Sequence, residues 1–256
     1  MSEVSQTLER IVLIMDCFTQ EQPELGVREV ARMVDLSAST TGRLLASLRE
    51  MGLLCQNSEN RAYSLGGKVL AWAGVYSATL DVRNRAQPFI HEMHELTSET
   101  ISLYVLEGDE RLCVERLESP HSVRIVARIG RRLPLYAGSA GKVFLAFLPE
   151  QRREAVLDAT EMRALTPNTI TDRQKLYNEL ELIRQQRYAI SRGEWILEAS
   201  GVAAPVFDQA GDILAVLTIS GPTQRFTEEI ITRYTSIVTR VASQISIEIG
   251  GRVPFR

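Results

Sequence analysis

Up to Gly66 the chain contains no lysine, and its six arginines (Arg10, Arg28, Arg32, Arg43, Arg49 and Arg61) are outnumbered by nine acids. The whole 256-residue chain carries a formal charge of −3. That balance excludes a protein that coats nucleic acid unspecifically, because such affinity grows with the number of phosphates neutralised. It leaves room for a focused DNA-reading face. Cysteine is also scarce: Cys17, Cys55 and Cys113 are far apart and lack Cys-x-x-Cys spacing, which argues against a disulfide framework or a structural zinc site. They read as small buried residues in a reducing cytoplasm. No stretch approaches the roughly 20 apolar residues that a bilayer span needs. The early run "IVLIMDCF" is interrupted by Asp16 and preceded by Glu9 and Arg10, so neither secretion nor membrane insertion is expected.

What is present is a globular composition, 45% hydrophobic and 24% charged, enough for one or two domains with real cores. Leu8, Ile11, Val12, Met15 and Phe18 recur at helical spacing before Pro23 to Gly26 break the pattern. Val27, Val30, Ala31 and Val34 mark a short second helix, and Ser37 is placed to cap a third. On a 100° wheel, Thr41, Leu44, Leu45 and Leu48 of this third helix gather on one side, Ser39, Arg43, Ser47 and Glu50 lie opposite, and Thr40 sits at the border. Short hydroxyls at a helix start allow close approach to phosphates and base edges, and an arginine one turn later can fork onto a guanine. The stretch from Ser37 to Glu50 therefore reads as a recognition helix. Gly52 suits a left-handed cap, and "LLCQNSENRAYSL" gives two short strands around a polar tip, a wing whose Arg61 can reach a phosphate or the minor groove.

From Gly66 to about Ala86 a helix follows, with Val69, Leu70, Ala73, Tyr76 and Leu80 as its apolar stripe. The stripe serves either its own domain or a second copy of the chain. Pro88 marks a further helix start. His91 and His94 are too close in sequence for the His-Glu-x-x-His zinc pair and read as a surface pair, so no metal is expected.

After Thr100 the period changes to two. "TISLYVLEG", "RLCVERLES" and "SVRIVARIG" read as strands, followed by helices around "AGKVFLAFLPEQRREAVLDA" and "DRQKLYNELELIRQQ", then strands in "SGVAAPVFD" and "DILAVLTISGP", and a last helix from about Thr227 to Ile249. Strands, inserted helices and strands again define an α+β domain with an antiparallel sheet. "GSAGKV" lacks the outer glycine and the final hydroxyl of a phosphate loop. Ser139 and Lys142 spell the Ser-x-x-Lys of acylating hydrolases, but the Ser-Asp-Asn and Lys-Thr-Gly words that accompany it are absent. A simpler reading has Ser139 capping a helix whose first amides, with the small Ala140 and Gly141 beside them, face a carboxylate. Thr218 and Ser220 alternate onto one strand face, so both hydroxyls can enter one cavity.

"GVREVARMVDLSASTTGRLLASLREMGLL" and "YSLGGKVLAWA" resemble the winged helix-turn-helix of the IclR family of bacterial transcription regulators, and "IGRRLPLYAGSAGKVFLAFL", "ASGVAAPVFD" and "LTISGPTQRFTEE" extend the resemblance over nearly the entire chain. It implies a DNA-binding domain at 1–66, a linker helix at 67–86 and a GAF-like effector-sensing domain at 87–256. The expected DNA contacts are Ser37, Ser39, Thr40, Arg43, Ser47 and Arg61. Carried over by motif, the effector pocket falls on Leu133, Ser139, Ala140, Ser191, Ala199, Gly201, Thr218 and Ser220. The family commonly shows an acid where this chain has Ser191 and a cysteine where it has Gly201, which makes the wall smaller and less acidic. The expected protein is a cytoplasmic homodimer or tetramer without a cofactor, not an enzyme, whose partners are an operator duplex and a small-molecule effector, a carboxylate. The rival readings are an enzyme using Ser139 and Lys142, and a protein-interaction adaptor.

Overall fold

The computed structural model describes residues 5–79, 81–125 and 128–251, and the side chains of all of these except 77–79. The chain divides into two compact units, Met1–Thr79 and Leu80–Arg256.

The first unit begins with α1 (Gln6–Asp16), α2 (Val27–Met33) and α3 (Ala38–Glu50). The buried edge of α1 is Ile14, with Ile11 and Met15 half-buried beside it, whereas Leu8, Val12 and Leu13 stay exposed. The apolar residues of α1 thus serve two faces, and only one of them is spent on the unit's own core. At α2 the Glu29 carboxylate accepts from the Gly26 amide at 2.7 Å, satisfying a donor the helix start would leave bare. Asp35 turns the chain with φ 53°, and Ser37 caps α3 by accepting from the Thr40 amide at 3.2 Å. Thr41, Leu45 and Leu48 are the buried face of α3 and pack with Phe18, Leu25, Val30, Leu54 and Tyr63. Gly52 ends the helix at φ 77°. The wing is the antiparallel pair β1 (Leu54–Gln56) and β2 (Tyr63–Leu65), joined to the rest by a bridge from Tyr63 to Leu25. Then comes α4 (Gly67–Thr79).

The helix expected from 67 to about 86 is therefore two: α4 and α5 (Asp81–Thr97), with Leu80 outside the described residues. Pro88 does not start a helix but sits inside α5. Burial explains it: Val82, Ala86, Ile90, Met93 and Thr97 form a continuous inner stripe, while Pro88 is exposed, on the side where the carbonyl it deprives of a donor can meet water.

The second unit is one six-stranded antiparallel sheet in the order β5-β4-β3-β8-β7-β6. Its strands are β3 (Thr100–Glu107), β4 (Glu110–Leu117), β5 (Arg132–Pro134), β6 (Ala189–Arg192), β7 (Ala199–Phe207) and β8 (Ile213–Pro222). The strand expected in "SVRIVARIG" is absent from its described part: residues 122–125 and 128–130 are bends, turns and irregular backbone, while Val126 and Ala127 lie outside the described residues. The third hairpin strand is instead β5, paired through Leu133 to Arg111. One sheet face is covered by α5 and α9 (Glu228–Glu248). The other face carries α6 (Ser139–Phe147), α7 (Glu150–Ala159) and α8 (Arg173–Gln186). Alternation sorts the side chains accordingly: Ile101, Leu103, Leu217 and Ile219 enter the first core, Tyr104, Cys113, Ala203 and Val216 the second. Pro149 separates α6 from α7 where the sequence pattern ran on.

Candidate functional site

In the first unit, α3 presents Ser39, Arg43 and Ser47 as exposed side chains, with Thr40 half-buried. The Ser37 hydroxyl donates to Thr40 Oγ1 at 2.9 Å in addition to capping the helix. Ser37 and Thr40 are thus tied to each other, and each shares its hydroxyl with a structural bond. A notch between α1 and α3 brings Thr40, Arg43 and Ser47 together with Thr7, Arg10 and Leu44. Thr7 and Arg10 were missed by sequence reasoning, although their i, i+3 spacing puts both on one helix face. On the wing, Arg61 has φ 61°. Its amide donates to the Asn57 carbonyl at 3.0 Å and its carbonyl accepts from Gln56 Nε2 at 2.9 Å, so the backbone is pinned while the side chain is exposed. Arg49 Nη1 donates to Gln56 Oε1 at 3.0 Å and ties α3 to the wing.

In the second unit, all eight residues expected for the effector pocket line a single cavity of about 100 Å³. Cross-strand register explains the convergence: Ser191 stands opposite Gly201 and Gly201 opposite Ser220, while Thr218 pairs with Ala203. The hydroxyls of β6 and β8 therefore share one face. Gly201 keeps that face low, since a Cβ there would stand 3.3 Å from Ser139 Oγ. The start of α6 closes the other side. Ser139 is the first helical residue rather than the cap. The cap position is Gly138, whose φ of 83° a serine would tolerate poorly. The Gly138 amide already donates to Glu194 Oε2 at 2.9 Å.

Sequence reasoning also missed Tyr104, Arg111 and Arg131 on the cavity wall, where Trp195 stands as well. Arg111 is buried beneath the α6 start, its Nη1 donating to the carbonyls of Pro134 at 2.5 Å and Ala137 at 2.8 Å. Burial lowers its pKa to about 10. A Cβ on Gly141 would come within 2.3 Å of that same nitrogen, which is why only glycine fits there. Lys142 is 1% exposed and donates to Glu194 Oε1 at 2.6 Å, Glu179 Oε1 at 2.9 Å and the Ile190 carbonyl at 2.9 Å. With all three protons committed, it has no lone pair to offer Ser139 as a base. His91 and His94 each place a ring nitrogen 2.8 Å from a backbone carbonyl, those of Gln87 and Glu118. No cluster of three metal-ligating side chains occurs among the described residues.

A helix-turn-helix with wing joined in one chain to a sheet domain holding a small polar cavity defines a ligand-responsive, sequence-specific DNA-binding transcription regulator. The family model "IclR helix-turn-helix domain" matches residues 7–58, and "Bacterial transcriptional regulator IclR C-terminal" matches residues 75–247. The HTH-type transcriptional regulator KipR of Bacillus subtilis is 32% identical over 250 residues, covering 98% of this chain and 99% of that protein. The IclR crystal structure from Thermotoga maritima superposes with a TM-score of 0.82 at 30% identity over 95% of this chain and 98% of that one. An IclR homolog from Microbacterium hydrocarbonoxydans, complexed with 4-hydroxybenzoate, gives a TM-score of 0.83 at 27% identity over 95% and 99% of the two chains. The chain belongs to the IclR family of transcriptional regulators.

Proposed function

We propose that this protein controls a catabolic operon in response to a small organic acid, with residues 1–66 reading DNA, 67–86 connecting and 87–256 sensing. The single observation that carries the sensing half is the convergence of Leu133, Ser139, Ala140, Ser191, Ala199, Gly201, Thr218 and Ser220 on one cavity that also holds the buried cation Arg111. The amides of Ser139 and Ala140 at the start of α6 point a partial positive charge the same way. A carboxylate satisfies both. The cavity is smaller than the ~150 Å³ that takes a benzene ring, which favours a short aliphatic acid over an aromatic one.

In the reading half, Arg43 forks onto base edges, Ser39, Thr40 and Ser47 position α3, Ser37 holds its start, and Arg61 and Arg10 reach phosphates. Because the unit is poor in positive charge, one copy grips weakly and a homodimer or tetramer supplies the second half-site. The exposed Leu8, Val12 and Leu13 of α1 and Leu70, Trp72 and Val75 of α4 offer the apolar surface for that doubling. Effector binding then shifts the half-site spacing. No helix of the described residues is long and apolar enough to cross a membrane, in keeping with a cytoplasmic protein. The commitment of Lys142 to its ion pairs favours a regulator without enzymatic activity.

The test is a fluorescence anisotropy titration on a duplex recovered by in vitro selection, with and without candidate acids, paired with thermal shift. The double variant Ser139→Ala, Ser220→Ala is expected to lose acid-induced stabilisation and to keep operator affinity. A thermal shift that survives in the double variant overturns the pocket assignment.

A further inference from the structure

The charged side chains on the cavity wall are two arginines, Arg111 and Arg131, and no acid. Neither is among the eight positions the family motif marks. Arg111 is only 4% exposed, and among the described residues no carboxylate lies within ion-pairing distance of it. Its Nε is buried without a hydrogen-bond partner. Glu194, the carboxylate that acts on Arg111 electrostatically, is already bonded through one oxygen to the Gly138 amide and through the other to Lys142. Arg131 is exposed at the mouth, its guanidinium stacked 5.6 Å from the ring centre of Trp195. Burial lowers the Arg111 pKa most, Tyr104 and Glu194 offset part of that, and Arg131, on the same cavity wall, lowers it further. A buried cation without an ion-pair partner of its own, sharing a cavity wall with a second cation and with hydroxyls but no acid, gains from an anion that enters the cavity.

Resting on the reading of this cavity as the effector site, we propose that the effector is a short aliphatic dicarboxylate. One carboxylate sits against Arg111 and the amides of Ser139 and Ala140, and the other reaches Arg131 beside Trp195. The hydroxyls of Ser191, Thr218 and Ser220 meet the carbon chain between them, which suits a hydroxylated or keto-substituted chain. A monocarboxylate leaves one of two like charges unmatched. A diacid matches both and relieves their repulsion, so Arg111 and Arg131 set the effector class while the motif residues set its size.

The experiment measures binding of the full chain to malonate, succinate and malate by calorimetry, each against its own monoamide. The best diacid is expected to bind about tenfold more tightly than its monoamide, the fold-change that one charge-assisted hydrogen bond supports. Arg131→Ala, a change at an exposed position, is expected to bring the ratio of diacid to monoamide affinity near one. Monoamides binding as tightly as diacids overturns the dicarboxylate and leaves the monoacid effector standing, and a diacid preference that persists in Arg131→Ala overturns the assignment of the second carboxylate to Arg131. Binding of neither class by a protein that still grips its selected duplex overturns both.

Discussion

Only the second unit buries arginines as well as exposing them. In the first, Arg43 and Arg61 stand in solvent on the outer faces of a helix and a wing, and Arg10 lines the same notch as Arg43. In the second, Arg111 and Arg116 are buried, each with at least one nitrogen lacking a partner, and burial lowers the pKa of both. A hydrated guanidinium keeps its solvation until a phosphate or a base edge replaces the water. A buried one has given up its solvation during folding, and Arg111, on the cavity wall, is the one the proposed anion would meet. The contrast teaches that charge count says little about either site: the first unit is poor in positive charge and keeps Arg43 and Arg61 in solvent, while the second hides Arg111 on a cavity wall.

The comparison is broken most severely at Lys142. Replacing it by methionine leaves Glu194, itself 6% exposed, without its nearest cation, and urea unfolding is expected to show a loss of about 3–5 kcal/mol. Next in size is Arg43→Ala, expected to cost about 1–3 kcal/mol on the selected duplex and to leave effector calorimetry unchanged. Equal affinity of variant and parent for that duplex would remove Arg43 from base reading. Arg10→Ala sharpens the picture differently: affinity is expected to fall alike on selected and random duplexes, with the slope of log affinity against log salt reduced by about 1. A loss confined to the selected duplex would make Arg10 a base reader. The smallest effect belongs to Thr41→Val. Thr41 is fully buried and its Oγ1 lacks a partner, so the swap is expected to stabilise by about 1 kcal/mol in a thermal or urea melt.

Much of the reader was legible in the sequence because its signals are local. Ser37 four residues before Thr41, an apolar arc at Leu45 and Leu48, and Gly52 after the helix all act within one or two turns. The sensor was legible where strands alternate cleanly, as at Thr218 and Ser220. It was opaque where register across the sheet decides. Arg111 lies in "RLCVERLES", which reads simply as a strand, and its pairing opposite Leu133 is what sets it beside the start of α6. The short edge strand β6 has only four residues, between Arg187 in a left-handed conformation and the positive-φ Gly193, too few for alternation to stand out. Ser139 lost its expected role to Gly138 because the helix start must approach Glu194, a partner 56 residues away.

Gly66 is packed so tightly that a Cβ would stand 2.3 Å from the Gly52 carbonyl oxygen. Its amide donates to Leu53 at 2.8 Å, and Lys68 donates to Gly52 at 3.4 Å. The exit of α3 and the entry of α4 are therefore meshed like two cogs with no clearance. A side chain at position 66 has to push one of these helix ends away from the other.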